Sequence, residues 1–203
     1  MSKEFYIGLD LSLTASGVVV LNSEGKIVDM GLAGSENMGD SVRSRFARCL
    51  ANCNGIRNII EKYMEGAKAI AIEGYSFMSK GNISQLVENG TLVRAMLLGF
   101  MEGRDEKKHD IIEVAPISLK KFLLGKVEKN AKNIMCREVF IKFKEKLDDD
   151  NLVDAFLLGH VARCFFFRKN YGFKNQYKQY QWEMADKMIK KQIEDDKKFN
   201  IKE

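Results

Sequence analysis

The sequence predicts an α/β fold, a mixed five-stranded sheet flanked by helices, on three observations. Three strand patterns open the chain with no helix between them, a helical stretch then leads into an apolar fourth strand, and helices and strands alternate from there. Residues 5 to 11 alternate apolar and small positions, 16 to 22 are Val-rich, and 26 to 32 follow a Ser-Glu-Gly turn. Strands this close in sequence assemble as a β-meander. From Asp40 to about Glu65, Val42, Phe46, Leu50, Cys53, Ile56 and Ile60 recur at helical spacing, and AKAIAIEG reads as a buried strand after them. YSFMSKGN, residues 75 to 82, reads as a mobile loop, Ile83 to about Glu102 as a second helix, and DIIEVA as the fifth strand.

The sole proline, Pro116, suits the first turn of a short helix that Gly125 stops. Two more helical patterns follow, about 128 to 146 and about 150 to 167, separated by LDDDN, whose Asp and Asn residues suit an N-cap. Past Gly172 the chain turns polar, basic and aromatic, with an amphipathic pattern over 181 to 198 through Met184, Met188 and Ile193. These features divide the chain into a core, residues 1–168, and a basic aromatic extension, residues 169–203, expected to be helical. The order of elements alone fits several α/β folds.

With 203 residues and 45% hydrophobic content, one sizeable core is within reach and two full domains are not. The net charge of +5 is unevenly distributed. Residues 115 to 144 hold eight Lys/Arg against two Glu, and residues 155 to 182 hold five against none, local basic surfaces that suit a polyanion. Four cysteines without paired C-x-x-C spacing make neither a disulfide scaffold nor a zinc knuckle, so Cys49, Cys53, Cys136 and Cys164 are expected as reduced thiols. No apolar run approaches ~20 residues. A soluble, cytoplasmic protein without membrane association is the expectation.

The acids stand out against this background. On the first strand Asp10 shares a face with Tyr6 and Gly8, and on the fourth Glu73 shares one with Ala69 and Ala71, so two carboxylates leave the ends of apolar strands. Asp150 and Asp154 are four apart on one helix face, and Asn151 is three before Asp154. A set of oxygen donors without His or Cys suits Mg²⁺ or Mn²⁺, and two such ions activate water and stabilise the leaving oxygen in phosphodiester hydrolysis. The plainer readings are solvated strand-end acids for Asp10 and Glu73 and a helix cap for Asp150. Asp148 and Asp149 read as a solvated turn.

IGLDLSLTASGVVVL, AIAIEGYSF, VAPISLKKFLLGKVEKNAK and DDDNLVDAFLLGHVA stand in the order and at the approximate spacing found in RuvC-like Holliday junction resolvases of the RNase H-like superfamily, phage-type members included. The chain resembles that family over roughly residues 5 to 166. The resemblance implies an RNase H-like fold, a Mg²⁺-dependent junction endonuclease in which Mn²⁺ substitutes, a homodimer, and branched DNA as partner, in the host cytoplasm for a phage-encoded member. It implies Asp10, Glu73 and Asp154 as metal ligands. Where the family has an acid or a His three residues before the last Asp, this chain has Asn151, so Asp150 is preferred as fourth ligand and Asn151 stays open. The same resemblance makes Lys120, Lys121, Lys129 and Lys132 candidates for phosphate contacts, which position DNA without reading it. Ser12 and Thr14 in the turn after Asp10 join them, and Tyr75 or Phe77 is a candidate for stacking on opened bases. A solvated helix face would equally account for each lysine, and core packing for each ring.

FFFRKNYGFKNQYKQYQW continues past the matched region, and its rings either add a DNA surface or pack on the core with lysines reaching outward. His160, six residues past Asp154, falls about 240° around the helix, away from the proposed metal face. Neither it nor His109 receives a role. The turn carrying Gly8, Asp10, Ser12 and Thr14 also resembles the first phosphate loop of actin-like sugar kinases and ATPases, which need two such domains and more chain. A flap or fork nuclease of the same fold also fits these residues, as does a junction-binding module without cleavage. The helix over 83 to 101, through Leu86, Val93, Leu97 and Phe100, is the candidate dimer contact.

Overall fold

A computed structural model describes residues 3–36, 39, 41–75, 83–101, 110–126, 132–172 and 177–200. Its elements run β1 (Phe5–Asp10), β2 (Ser16–Asn22), β3 (Ile27–Ala33), α1 (Val42–Ile60), β4 (Ala67–Glu73), α2 (Ile83–Met101), β5 (Asp110–Val114), α3 (Pro116–Leu124), α4 (Lys132–Phe143), α5 (Asp150–Tyr171) and α6 (Gln179–Asn200). The five strands form one sheet in the order β3-β2-β1-β4-β5. The meander is antiparallel, while β4 and β5 join β1 in parallel. Each parallel strand is preceded by a helical crossover, as parallel pairing requires.

Strand alternation sorts the core into two layers. Ile7, Leu9, Val18, Val20, Ile70 and Ile72 meet α1 and α2, whereas Tyr6, Val19, Leu21, Ala69 and Ala71 meet α5 and its neighbours. Helix α5 lies directly on the sheet because two cross-face positions are glycine. A β-carbon at Gly8 would overlap the Ala155 carbonyl and the Gly159 amide, and one at Gly17 would overlap the Asn151 carbonyl. That close approach fixes where the first turn of α5 sits, over the end of β1.

Asp149, expected as part of a solvated turn, instead caps α5: its carboxylate accepts from the amides of Asn151 at 2.8 Å and Leu152 at 3.1 Å. It satisfies donors the helix leaves open and sets a negative charge at the positive end of the helix dipole. Asp150 is thereby not the cap. Asp149→Ala is expected to lower stability by about 1 kcal/mol, read as a lower urea midpoint at unchanged slope; an unchanged midpoint would refute the capping role.

The stripe on α1 differs from expectation. Cys49, Asn52, Cys53, Ile56 and Ile60 are buried, but Val42, Phe46 and Leu50 are exposed, by 73%, 55% and 40%. The sheet-facing side of α1 is set by the close seating of Gly55 against Ala33, which turns the first three apolar residues outward. On α2, Val93 and Leu97 belong to the core, Leu86 and Phe100 are half-buried, and the exposed apolar residues are Val87 and Leu98. Val42, Phe46 and Val87, with Leu92, line a shallow groove between the two helices, whereas Leu98 lines a separate depression beside β5.

Helix α6 packs on α5. Tyr177, Trp182 and Ala185 enter the same core as Phe165 and Phe122, and the indole N–H donates to the Tyr177 carbonyl at 3.1 Å. Three bases at this packing are engaged: Arg168 grips Asp186 through Nε and Nη2, Lys169 pairs with Asp110, and Arg163 is buried with both Nε and Nη2 on the Ser23 carbonyl. Among the described residues of 165 to 182, Phe165, Tyr177 and Trp182 pack into the core, Phe166, Phe167 and Tyr180 are half-buried, and Tyr171 is exposed. No described helix is long and apolar enough to cross a membrane.

Candidate active site

Asp10 and Glu73 end neighbouring parallel strands. Leu9 pairs with Ile72, so the next residue on each strand is one of the two acids, side by side in register. Both alternate onto the α5 face, continuing Tyr6 and Gly8 on β1 and Ala69 and Ala71 on β4. Asp10 is buried, 7% exposed, and Glu73 half-buried. Above them, the Asn151 carbonyl rests against Gly17, the cross-strand partner of Asp10. Asp150 and Asp154 occupy the flank of α5 turned towards α4. The Cys136 thiol donates to Asp150 Oδ1 at 3.6 Å, and it is held above its ordinary pKa by burial first and then by the charges of Asp150 and Asp154. Asp150 is exposed, and Asp154 and Asn151 are half-buried.

The fold thus delivers the four predicted acids and Asn151 to one end of the sheet. Their donor chemistry is all oxygen and fits a hard divalent cation. Among the described residues, no three His, Cys, Asp or Glu side chains are drawn together tightly enough to enclose an ion as they stand. Like-charged carboxylates repel at short range, so a set of this kind gathers around a cation rather than around itself.

Ser12 and Thr14 lie in the turn from β1 to β2, Ser12 half-buried and Thr14 exposed, with their hydroxyls 3.5 Å apart. Beneath the turn is a group that sequence reasoning missed: Asn52 of α1 and Asn89 of α2, both buried, converge on it with Ser16. The available signal was a polar residue on an otherwise apolar helix face, Asn52 beside Cys53 and Ile56. Nothing in the sequence joins it to Asn89, 37 residues away.

Comparison of the whole fold with solved structures decides its class. The structure titled T. thermophilus RuvC in complex with Holliday junction substrate matches over 82% of this chain and 95% of that one, at TM-score 0.54 and 15% identity. A structure of Thermus thermophilus RuvC alone matches over 80% and 94%, also at 0.54, with 18% identity. The chain has the RuvC fold. The yeast mitochondrial Holliday junction resolvase Ydc2 is a more distant match, at TM-score 0.49 and 12% identity over 95% of this chain and 83% of that one. No protein-family model matches the sequence, and no curated protein matches it significantly.

Within this RuvC fold the remaining candidates are placed unequally. Tyr75 sits two residues past Glu73, half-buried, and is tied to α2: its hydroxyl accepts from Arg94 Nη1 at 2.8 Å, and the guanidinium lies 4.8 Å from the ring centre. One face of that ring is already covered. Phe77 falls outside the described residues, as do residues 76 to 82 of the loop predicted over 75 to 82. Lys120 is half-buried and Lys121 exposed on α3, whose N-terminus follows β5 at the acid end of the sheet. Lys132 is the first residue of α4, and Lys129 lies outside the described residues.

A cleft of about 510 Å³ opens at the other end of the sheet, bounded by Lys26, Phe143, His160, Tyr177 and Tyr180. It adjoins the β2–β3 turn, whereas Asp10 leaves the opposite end of β1, so the cleft is not part of the acid site. His160, which the sequence left without a role, is fully buried there, its Nδ1 2.9 Å from the Tyr177 hydroxyl. Arg163 Nη1 donates to the same hydroxyl at 3.0 Å, which leaves that hydroxyl's own proton free to reach Nδ1. Burial, and secondarily the Arg163 charge, holds His160 down to about 3, so the ring is neutral.

Proposed function

We propose that this protein is a structure-selective endonuclease that resolves four-way DNA junctions by paired nicks, with Mg²⁺ or Mn²⁺ as cofactor. The reading rests on one observation above all: Asp10 and Glu73 end adjacent parallel strands in register, at the end of the sheet where the first turn of α5 brings Asp150 and Asp154, in a RuvC fold. Asp10, Glu73 and Asp154 would hold the cations, with Asp150 as fourth ligand and the Asn151 amide as the uncharged alternative. Bound there, two such cations supply activation of water and stabilisation of the leaving oxygen in phosphodiester cleavage.

The chain's own residues do the rest. Burial of Asp10 lowers the local dielectric and strengthens its hold on positive charge. Ser12 and Thr14, beside the acids, offer hydroxyls to a phosphate, and Lys120 and Lys121, with Lys129 and Lys132, track the backbone of the arms. Tyr75 or Phe77 would stack on opened bases. A two-fold junction calls for a two-fold protein. The groove between α1 and α2, with Val42, Phe46 and Val87 exposed along it, is the surface we assign to the homodimer contact. Reduced thiols and a DNA substrate favour a cytoplasmic location.

The test is cleavage of a labelled synthetic four-way junction in Mg²⁺, beside a flap, a fork and a linear duplex. Symmetric nicks in opposed strands, at rates well above those on the other substrates, are expected. Faster cleavage of the flap would keep the chemistry and replace the substrate. Tight junction binding without nicks in either Mg²⁺ or Mn²⁺ would make the protein a junction-binding module.

A further inference from the structure

The turn after Asp10 is gripped from behind. Its Ser12 carbonyl accepts three hydrogen bonds, from Ser16 Oγ at 3.0 Å, Asn52 Nδ2 at 3.1 Å and Asn89 Nδ2 at 3.1 Å. Asn52 Nδ2 also reaches Ser16 Oγ at 3.0 Å and Asn89 Oδ1 at 2.9 Å, and Ser16 Oγ accepts from the Ser12 amide at 3.0 Å. Asn52, Asn89 and Ser16 are all at most 1% exposed.

Two buried carboxamides from two different helices are an uneconomical way to fill the space between α1, α2 and a sheet. Leucines would fill it without desolvating any polar group, and Asn52 Oδ1 is buried with no hydrogen-bond partner among the described residues. What the amides achieve that leucines would not is a fixed turn backbone. The geometry is also one-sided. Leu9 and Leu11 turn towards α1 and α2 while Asp10 turns towards α5, so the amides hold the peptide two residues past Asp10 from the face opposite the acids.

We infer that Asn52 and Asn89 are positioning residues for the nuclease reaction, a pair that clamps the Ser12 peptide and thereby fixes Asp10 and the Ser12 and Thr14 hydroxyls. The inference rests on the nuclease reading above. Neither side chain touches the reacting groups. Their effect passes through one peptide unit, and a displacement of about 1 Å at a reacting centre is enough to cost roughly 100-fold in rate.

The closing experiment uses the full chain with Asn52→Leu, Asn89→Leu, the double variant and Ser16→Ala. Leucine keeps asparagine's branching and removes its hydrogen bonds; because each single variant also strips the other carboxamide of the Asn52–Asn89 bond, a merely structural pair would lower Tm and leave kcat of the folded protein in place. A clamp predicts, in the folded variants, junction affinity within about threefold, kcat lower by roughly 30- to 100-fold, and faster amide exchange at Ser12. The double variant should be hardly worse than either single one, because the residues act as a unit. Ser16→Ala, which leaves the helix interface intact, should lower kcat about tenfold by removing the shared hydroxyl and serves if a leucine variant does not fold. Wild-type kcat in folded variants, or unchanged exchange at Ser12, would overturn the inference. Absence of cleavage by the wild type would sink the nuclease reading instead, and exchange at Ser12 would still decide the clamp.

Discussion

Asp10→Asn will lower junction cleavage on the order of 10³-fold or more while junction binding stays within a few-fold of wild type. The substitution keeps the shape of a side chain that is buried at the end of β1, removes its charge and turns one acceptor oxygen into an amide donor. A neutral amide at that position attracts a divalent cation far less strongly, and losing one fixed electrostatic contributor at a reacting centre typically costs 10²–10³ in rate; a buried ligand to the ion itself sits at or beyond that range. Binding should survive because affinity for DNA comes mainly from Lys and Arg on phosphates, and the lysines proposed for that contact are separate in sequence from Asp10. Single-turnover cleavage under excess enzyme, with affinity measured without divalent cation, separates the two. Retention of a tenth of the wild-type rate would remove Asp10 from the ligand set. Asp150→Asn, at an exposed position already engaged by the Cys136 thiol, should fall short of the Asp10→Asn effect.

Asp10 and Glu73 were legible because each breaks a rule its neighbours keep. An acid ending an apolar strand on the face of Tyr6 and Gly8, or of Ala69 and Ala71, is conspicuous at a period of two, and the β1–β4 register then brings the pair together. The strands were read to within one residue for the same reason. What sequence could not supply is anything decided by contact between distant segments. The rotation of α1, which exposes Val42, Phe46 and Leu50, follows from the seating of Gly55 on Ala33. The meeting of Asn52 with Asn89 follows from the packing of α1 on α2. The choice of Asp149 over Asp150 as cap depends on a backbone angle, since three consecutive acids are equally suited by composition. Residues 177 to 182 were ambiguous because aromatic and basic residues serve a core and a DNA groove alike; the Tyr177 and Trp182 contacts resolve that only in three dimensions.

Those same contacts set the acid sensitivity of the molecule. His160 is held near 3 in the folded chain, whereas an unfolded histidine titrates near 6.5. Between these values the unfolded chain binds a proton that the folded chain refuses, so stability rises with pH across that window and is lost as pH falls from 6.5 towards 3. Protonation would set a second positive charge in a dry site beside Arg163 and disrupt the bond from Tyr177 to Nδ1. From pH 7 to pH 5, before most carboxylates titrate, the expected loss is about 2 kcal/mol, approaching a limit of about 4–5 kcal/mol at lower pH. His160→Gln keeps a polar acceptor for Tyr177 and removes the titration. Urea unfolding of both proteins at pH 7 and pH 5 should therefore show the wild type losing about 2 kcal/mol more than the variant; parallel losses would show that His160 is not the acid-sensitive group.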